Sequence, residues 1–412
     1  MASKSKQKRM KEISHRETAT LAVIVAMVAA VFAIIQNSYG QFSDIRGFYQ
    51  MHFSDGQHLW PFSTHTLLGS KDAMHPVEYP ALTGLIMWLL SFFIKPSQLA
   101  WVDYFRLTAG FHVVLFGATT YFIKKLASRK WAIVFAISPA VLYSLNRNWD
   151  IWAVITMVWA IYLFEKGKEK QSAILLAISI ATKFFPLVLF FPILLSCFRN
   201  KQIKRFVIYF SYTVGAWVLI NLPFALTNFR GWSYFYEFNY SRGIGSASVW
   251  DVTSQIGISL PTSKVFLYVL NIGIFALLGL LLLKSKPVLT LPESAFLTMF
   301  AFILFNKQYS MQYVIWLAAL AVIAIAKLSK KHQFSLTGIY VLWQASELAF
   351  QYGFFQNILT SAYANSQTPA FPQISGFTFG VIGVFRYLIA ITFTVLLAKY
   401  LYDEKKPLAP VK

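Results

Sequence analysis

The stretch Leu21-Ala-Val-Ile-Val-Ala-Met-Val-Ala-Ala-Val-Phe-Ala-Ile-Ile35, followed shortly by Gln41-Phe-Ser-Asp-Ile-Arg-Gly-Phe-Tyr49, decides the fold. An apolar run without a charge, extended by its neighbours to residues 18–37, has the length of a helix that crosses a hydrocarbon core of ~30 Å. Asp44 arrives just past its end. The spacing therefore predicts a carboxylate at a membrane surface, at the head of a polar segment reaching about residue 78.

Working outward, the same signal recurs to the end of the chain. Of 412 residues 57% are hydrophobic, 17% aromatic and 13% charged, where soluble domains are about 25% charged. The mean hydropathy is +0.54. These values define an all-α polytopic membrane protein. The net charge of +21 raises the question of nucleic acid, but the basic residues stand in short runs between apolar segments, as the positive-inside rule expects. Nucleic-acid binding is set aside on that pattern. A single cysteine, Cys197, excludes an internal disulfide and a cysteine-based metal site.

Taking the basic runs 4–16, 124–130, 166–170, 199–205, 284–286, 327–331 and 405–406 as cytoplasmic fixes a topology. Helices are expected at 18–37, 104–123, 131–146, 150–164, 171–183, 185–198, 206–226, 264–283, 293–306, 311–326, 334–355 and 377–400, about twelve transmembrane crossings. A further apolar segment at about 79–94 is expected to be an interfacial or re-entrant helix, because a full crossing would invert every later basic run. The expected organisation is a basic cytoplasmic N-terminus (1–17), one transmembrane domain (18–400) with outer loops at about 38–78 and 227–263, and a cytoplasmic tail (401–412).

On this topology the outer side receives Asp44, Asp55, Asp72, Glu78, Asp103, Asp150, Glu237 and Asp251, half of the 16 acidic residues. It also receives His52, His58, His65 and His75. Their spacing matches no tight ligand pattern, so no metal site is assigned to them. Lys183, Arg242 and Lys307 stand on outer loops against the general charge bias. Glu347, inside an apolar helix, is a functional candidate by position, or else pairs with a cation such as Arg386.

Four outer segments occur in order: Ser43-Asp44-Ile45 with Glu78-Tyr79-Pro80-Ala81-Leu82; Asn148-Trp149-Asp150; Ala181-Thr182-Lys183-Phe184-Phe185-Pro186-Leu187; and Asn306-Lys307-Gln308-Tyr309-Ser310-Met311-Gln312-Tyr313. With Arg242-Gly243 and Ser248-Val249-Trp250 as a fifth, the set resembles the GT-C membrane glycosyltransferases, in particular the bacterial polyprenyl-phosphate-mannose-dependent α-mannosyltransferases of glycosyltransferase family 87. The pattern departs at Ala81 and Met311, where that family often has proline.

The resemblance implies a GT-C-like helical bundle that transfers a sugar, mannose by the family's habit, from a polyprenyl-phosphate donor to an acceptor hydroxyl. The acceptor would be a glycolipid or polysaccharide of the cell envelope, and the site would face outward from a bacterial plasma membrane. Asp44 then has the role of general base, taking the acceptor proton during an inverting displacement. Arg242, Lys307 and Lys183, in that order, are expected at the donor phosphate. Asp150, Asn148, Glu78, Tyr79, Gln308 and Gln312 are expected around sugar and acceptor; Asp150 with Asn148 can alternatively hold a divalent ion. No other cofactor is implied. The alternative is a transporter or flippase of a lipid-linked saccharide, for which Glu347 is the main feature.

Overall fold

Apolar periodicity becomes helix along nearly the whole chain in the computed structural model, which describes residues 2–38, 43–53, 58, 60–66, 73–245, 247–284, 289–354 and 374–405. Asp55, Asp72 and the basic-run residues Lys286 and Lys406 lie outside the described residues. The helices are α1 (Ala2–Ser38), α2 (Asp44–His52), α3 (Ala81–Ser91), α4 (Ala100–Leu126), α5 (Arg129–Ala136), α6 (Pro139–Ser144), α7 (Asp150–Glu165), α8 (Glu169–Thr182), α9 (Phe190–Arg199), α10 (Ile203–Thr227), α11 (Phe229–Ser241), α12 (Val249–Gln255), α13 (Lys264–Lys284), α14 (Leu291–Leu304), α15 (Val314–Ile325), α16 (Lys330–Phe354) and α17 (Gly376–Lys405). Short 3-10 turns at Phe185–Leu189 and Met311–Tyr313 lead into α9 and α15. Among the described residues, strand pairing is confined to His65–Thr66 against Ala73–Met74, antiparallel.

Among the described residues, four helices are long and apolar enough to cross a membrane: Arg16–Gln36 within α1, α10, α13 and α17. Shorter apolar helices of 10–17 residues accompany them. This makes a multi-pass membrane protein. The single helix expected at 131–146 is broken into α5 and α6 at Ile137-Ser138, because Pro139 disfavours helical backbone in the residue before it. The segments 38–78 and 227–263 are not plain loops: they contain α2, α11 and α12. Each of α2 and α12 starts on a serine, Ser43 or Ser248, whose hydroxyl caps the first turn. The segment expected at 79–94 forms α3, whose 11 residues reach about 17 Å, half of a hydrocarbon core.

Internal contacts divide the chain into two units. The first comprises residues 1–137, 142–187 and 207–241, the second 138–141, 188–206 and 242–412. In the first unit α1 packs along α4 through small residues. A Cβ at Gly117 would stand 2.9 Å from the Ala22 carbonyl oxygen, so only glycine permits this approach. The pair is antiparallel: Lys124 donates to the Thr18 hydroxyl at one end, while Ala33 and Phe105 line one cavity at the other. The basic run 124–130 thus returns to the basic end of α1. Helices α7 and α8 pack antiparallel behind α4, with Ser179 Oγ donating to the Ala153 carbonyl.

Helix α11 is seated on the segment around Phe62. Asn228 Nδ2 donates to the Phe62 carbonyl at 2.8 Å, and a Cβ at Gly231 would stand 1.6 Å from that same oxygen. Gly231→Ala is therefore expected to cost about 3 kcal/mol, the upper end for overpacking, because a backbone atom must move. Thermal unfolding in detergent measures this; a midpoint equal to wild type would contradict the close approach.

In the second unit α15 is apolar and buried on every side, as a core helix must be. Helix α17 carries Gly380 and Gly383 against α12, where Cβ atoms would lie 2.8 and 2.4 Å from Val252.

Candidate active site

In the first unit, the residues around Asp44 are assembled from the end of α1 outward. Gln36 donates to the Tyr143 carbonyl at 2.8 Å and accepts from Asn146 Nδ2 at 3.2 Å. Ser43, the N-cap of α2, accepts from the Ile45 N–H and donates to the Asn146 carbonyl at 2.7 Å. The Asp44 N–H donates to the Arg147 carbonyl at 2.9 Å. Buried His112 of α4 meets the Leu145 carbonyl through Nδ1 at 3.1 Å. The 143–148 turn is thereby clamped between α1, α2 and α4, and its next side chain, Asn148, points at Asp44.

Asn148 organises the cluster. Its Nδ2 donates to Asp44 Oδ2 at 2.8 Å and to the Tyr79 hydroxyl at 2.7 Å. Its Oδ1 accepts from the Trp149 N–H at 2.6 Å and from Lys183 Nζ at 3.3 Å. Two donors and two acceptor positions are the full capacity of an amide, so Asn148 orients its neighbours rather than offering a group to sugar. Lys183 Nζ lies 3.4 Å from Asp150 Oδ1 and 4.6 Å from the centre of the Tyr79 ring. Asp150 opens α7 and is fully buried, its charge supported by the helix N-terminus and by Lys183. Thr83 of α3 donates to the Thr182 carbonyl at 2.6 Å, fixing the residue before Lys183. Phe48, Tyr79 and Trp149 form an edge-to-face set with centroids 5.2–5.5 Å apart behind the polar groups.

Asp44 itself remains partly exposed. Burial raises its pKa above the ordinary carboxylate value; the Asn148 hydrogen bond and the charges of Arg147 and Lys183 oppose that, and Asp150 adds to it. The Tyr79 phenol is pushed well up, first by burial and then by Asp44, Glu78 and Asp150, and stays protonated. The result is a carboxylate at the start of a helix, its pKa raised by burial and one of its oxygens held by the Asn148 amide. Such a group can accept a proton from a hydroxyl brought to it.

Arg147 has no place among the residues expected from sequence. It is buried, its guanidinium stacks 5.2 Å from the Tyr143 ring, and burial pushes its pKa down to about 10 while Tyr143 and Asp44 pull it up. The signal was present: a basic residue next to Asn148 on an outer segment. Glu78 is half-buried beside Tyr79.

The remaining expected residues belong to the second unit. Lys307 Nζ donates to the Arg242 carbonyl at 2.6 Å, the Gly245 N–H to the Lys307 carbonyl at 2.8 Å, and Gln308 Nε2 to the Gly243 carbonyl at 2.8 Å. These bonds join the segments 242–245 and 306–308. The Lys307 pKa is lowered by partial burial and by its cationic neighbours Lys264 and Arg242, which marks a cluster of three positive groups. Lys264, at the start of α13, was not anticipated. Gln308 and Gln312 are buried. Next to Gln308, Tyr309 leads to a buried ion pair: Glu347 Oε2 lies 2.9 Å from Arg386 Nε, both fully buried, and Glu347 Oε1 accepts from the Tyr309 hydroxyl at 2.8 Å and Trp343 Nε1 at 3.1 Å. The Arg386 guanidinium covers the Tyr309 ring at 3.7 Å. This buried carboxylate thus has the partner named as its alternative. Among the described residues no three His, Cys, Asp or Glu side chains converge to hold a metal ion; the counter-charge of Asp150 is the Lys183 ammonium.

The class defined by the described residues is a multi-pass helical membrane protein. No family model matches the chain. It is similar to GPI mannosyltransferase 1 of Kluyveromyces lactis, 26% identical over 256 residues, 57% of this chain and 63% of that protein. The chain thus spans less than two thirds of the length of the curated relative it matches.

Proposed function

We propose that the chain is an inverting glycosyltransferase that moves mannose from a polyprenyl-phosphate donor to an acceptor hydroxyl at a membrane surface. The observation that carries this is the Asp44 carboxylate, oriented by Asn148 and the 143–148 turn, set at the end of a membrane-spanning helix. The name of the distant relative supports mannosyl transfer, and the four ordered motifs support the GT-C-like plan of family 87. The acceptor is a glycolipid or polysaccharide, and the site faces the outer side of the plasma membrane.

In the reaction the acceptor O–H loses its proton to Asp44 as its oxygen bonds to the anomeric carbon. The bond from that carbon to the phosphate oxygen breaks, and polyprenyl phosphate leaves with the electron pair. A single displacement inverts the centre, so a β-linked donor gives an α-linked product. Arg242, Lys307 and Lys264 supply positive charge of the kind the departing phosphate requires. Lys183 holds Asp150, and through Asn148 helps hold the base. The transporter alternative rested on Glu347, which is matched by Arg386 and so offers no isolated midplane charge.

The test is transfer of labelled mannose from polyprenyl-phosphate mannose by the purified protein in lipid, with a crude lipid and polysaccharide extract as acceptor. Labelled product of higher mass supports the reading. Movement of the intact donor between leaflets without any product would replace it with a flippase.

The pH profile gives an independent check. A base works only when deprotonated, so kcat/KM is full above the Asp44 pKa and falls as pH drops through it. Burial places that limb above the usual carboxylate value of about 3.9. Asn148→Ala removes the hydrogen bond that lowers the pKa, so the limb is expected to move to higher pH. A limb that stays put would separate Asn148 from the titrating group.

A further inference from the structure

On the side of α2 away from Asp44 the first unit carries two cavities, whose linings come within one turn of α4 at Trp101 and Phe105. At 100° per residue, Arg46, Tyr49 and Gln50 lie on the face opposite Asp44, Phe48 and His52. One cavity, about 450 Å³, is an apolar groove between α1 and α4, lined by Ala30, Ala33, Ile34, Phe105, Ala109 and Gly110, with Arg106 at its edge. The other, about 400 Å³, is more polar and is lined by Tyr49, Gln50, Ser97, Gln98 and Trp101. Arg46 marks the boundary: its guanidinium lies 4.5 Å from the Phe105 ring, which faces the groove, and 5.1 Å from Trp101, which faces the polar cavity.

We propose that these cavities form a binding site for an anionic bilayer phospholipid, with an acyl chain in the α1–α4 groove, its phosphate at Arg46 and Arg106, and its headgroup in the polar cavity. Three observations favour this occupant. The groove opens along the membrane-spanning part of α1, where Val23, Met27, Val31 and Ile34 are exposed. The net charge at the apolar–polar boundary is positive: Arg106 and Asp103 form a surface ion pair at 3.1 Å, and Arg46 adds one further positive charge from α2. A phosphate there meets the face of α2 that does not carry the base, so the site suits a resident lipid rather than a reacting one. Such a lipid would brace α2 against α4 and hence the helix that presents Asp44.

Native mass spectrometry of the full chain with added phosphatidylglycerol or phosphatidylcholine tests this, using two variants. The double variant Arg46→Gln/Arg106→Gln removes both charges and is expected to weaken phosphatidylglycerol binding about 20-fold, toward the level of phosphatidylcholine. Gly110→Leu fills the groove; a side chain at Gly110 starts into open space, so the fold is kept, and both lipids are expected to lose their adducts. Phosphatidylglycerol binding unchanged in both variants would overturn the proposal. So would polyprenyl phosphate displacing phosphatidylglycerol and depending on the same residues, because the groove would then belong to the donor.

Discussion

Asp44→Asn lowers the rate of mannosyl transfer by at least about 100-fold, the minimum expected for loss of a general base. The change keeps size and shape, and the Asn148 Nδ2 donor can still meet an oxygen at that position, 2.8 Å away in the native cluster. The backbone bond from residue 44 to the Arg147 carbonyl is untouched. Folding and donor binding should therefore survive while proton abstraction is lost. The measurement is single-turnover transfer with donor bound to saturation. A variant as fast as wild type would remove Asp44 from the chemistry, and Asp150 could not simply replace it, since that carboxylate is fully buried against Lys183.

The second large effect falls on stability. Glu347→Ala leaves the Arg386 guanidinium buried without its carboxylate, which typically costs about 3–5 kcal/mol. It also strips partners from the Tyr309 hydroxyl and the Trp343 indole N–H. The expected result is a sharply lower unfolding midpoint in detergent and poor recovery of folded protein. Glu347→Met/Arg386→Met removes both charges together and is expected to regain much of the loss, because replacing a whole buried pair with apolar groups is often neutral. Equal stability of Glu347→Ala and wild type would mean the pair contributes nothing. A double variant as unstable as the single would shift the weight to the hydrogen bonds with Tyr309 and Trp343.

The two sites differ in how much of them could be read in the chain. The Glu347–Arg386 pair was open to sequence reasoning, because a carboxylate inside an apolar helix needs a cation and few lie in apolar segments. The Asp44 cluster was legible only in part. Its members could be named from the ordered motifs, but not their division of labour: Asn148 faces Asp44, and Lys183 faces Asp150 as well as Asn148. The sequence marks Arg147 only as a basic residue next to Asn148; its relation to Asp44 exists only when residues about a hundred positions apart meet. Lys264 is likewise brought beside Lys307 only by the tertiary structure.

By itself the sequence determined the local properties of this protein. Apolar length and charge placement determined that it is helical and membrane-spanning, that a short helix follows residue 80, and that Asp44 stands just past the first span. These follow from side-chain transfer energies and backbone periodicity, which act over one or two helical turns. Only the tertiary structure decided that the segments 38–78 and 227–263 contain capped helices packed on neighbours, that α1 and α4 close together through Gly117, and that Asn148 is committed to four partners. Those outcomes depend on close packing and on the pairing of buried polar groups, which are set by neighbours distant in the chain.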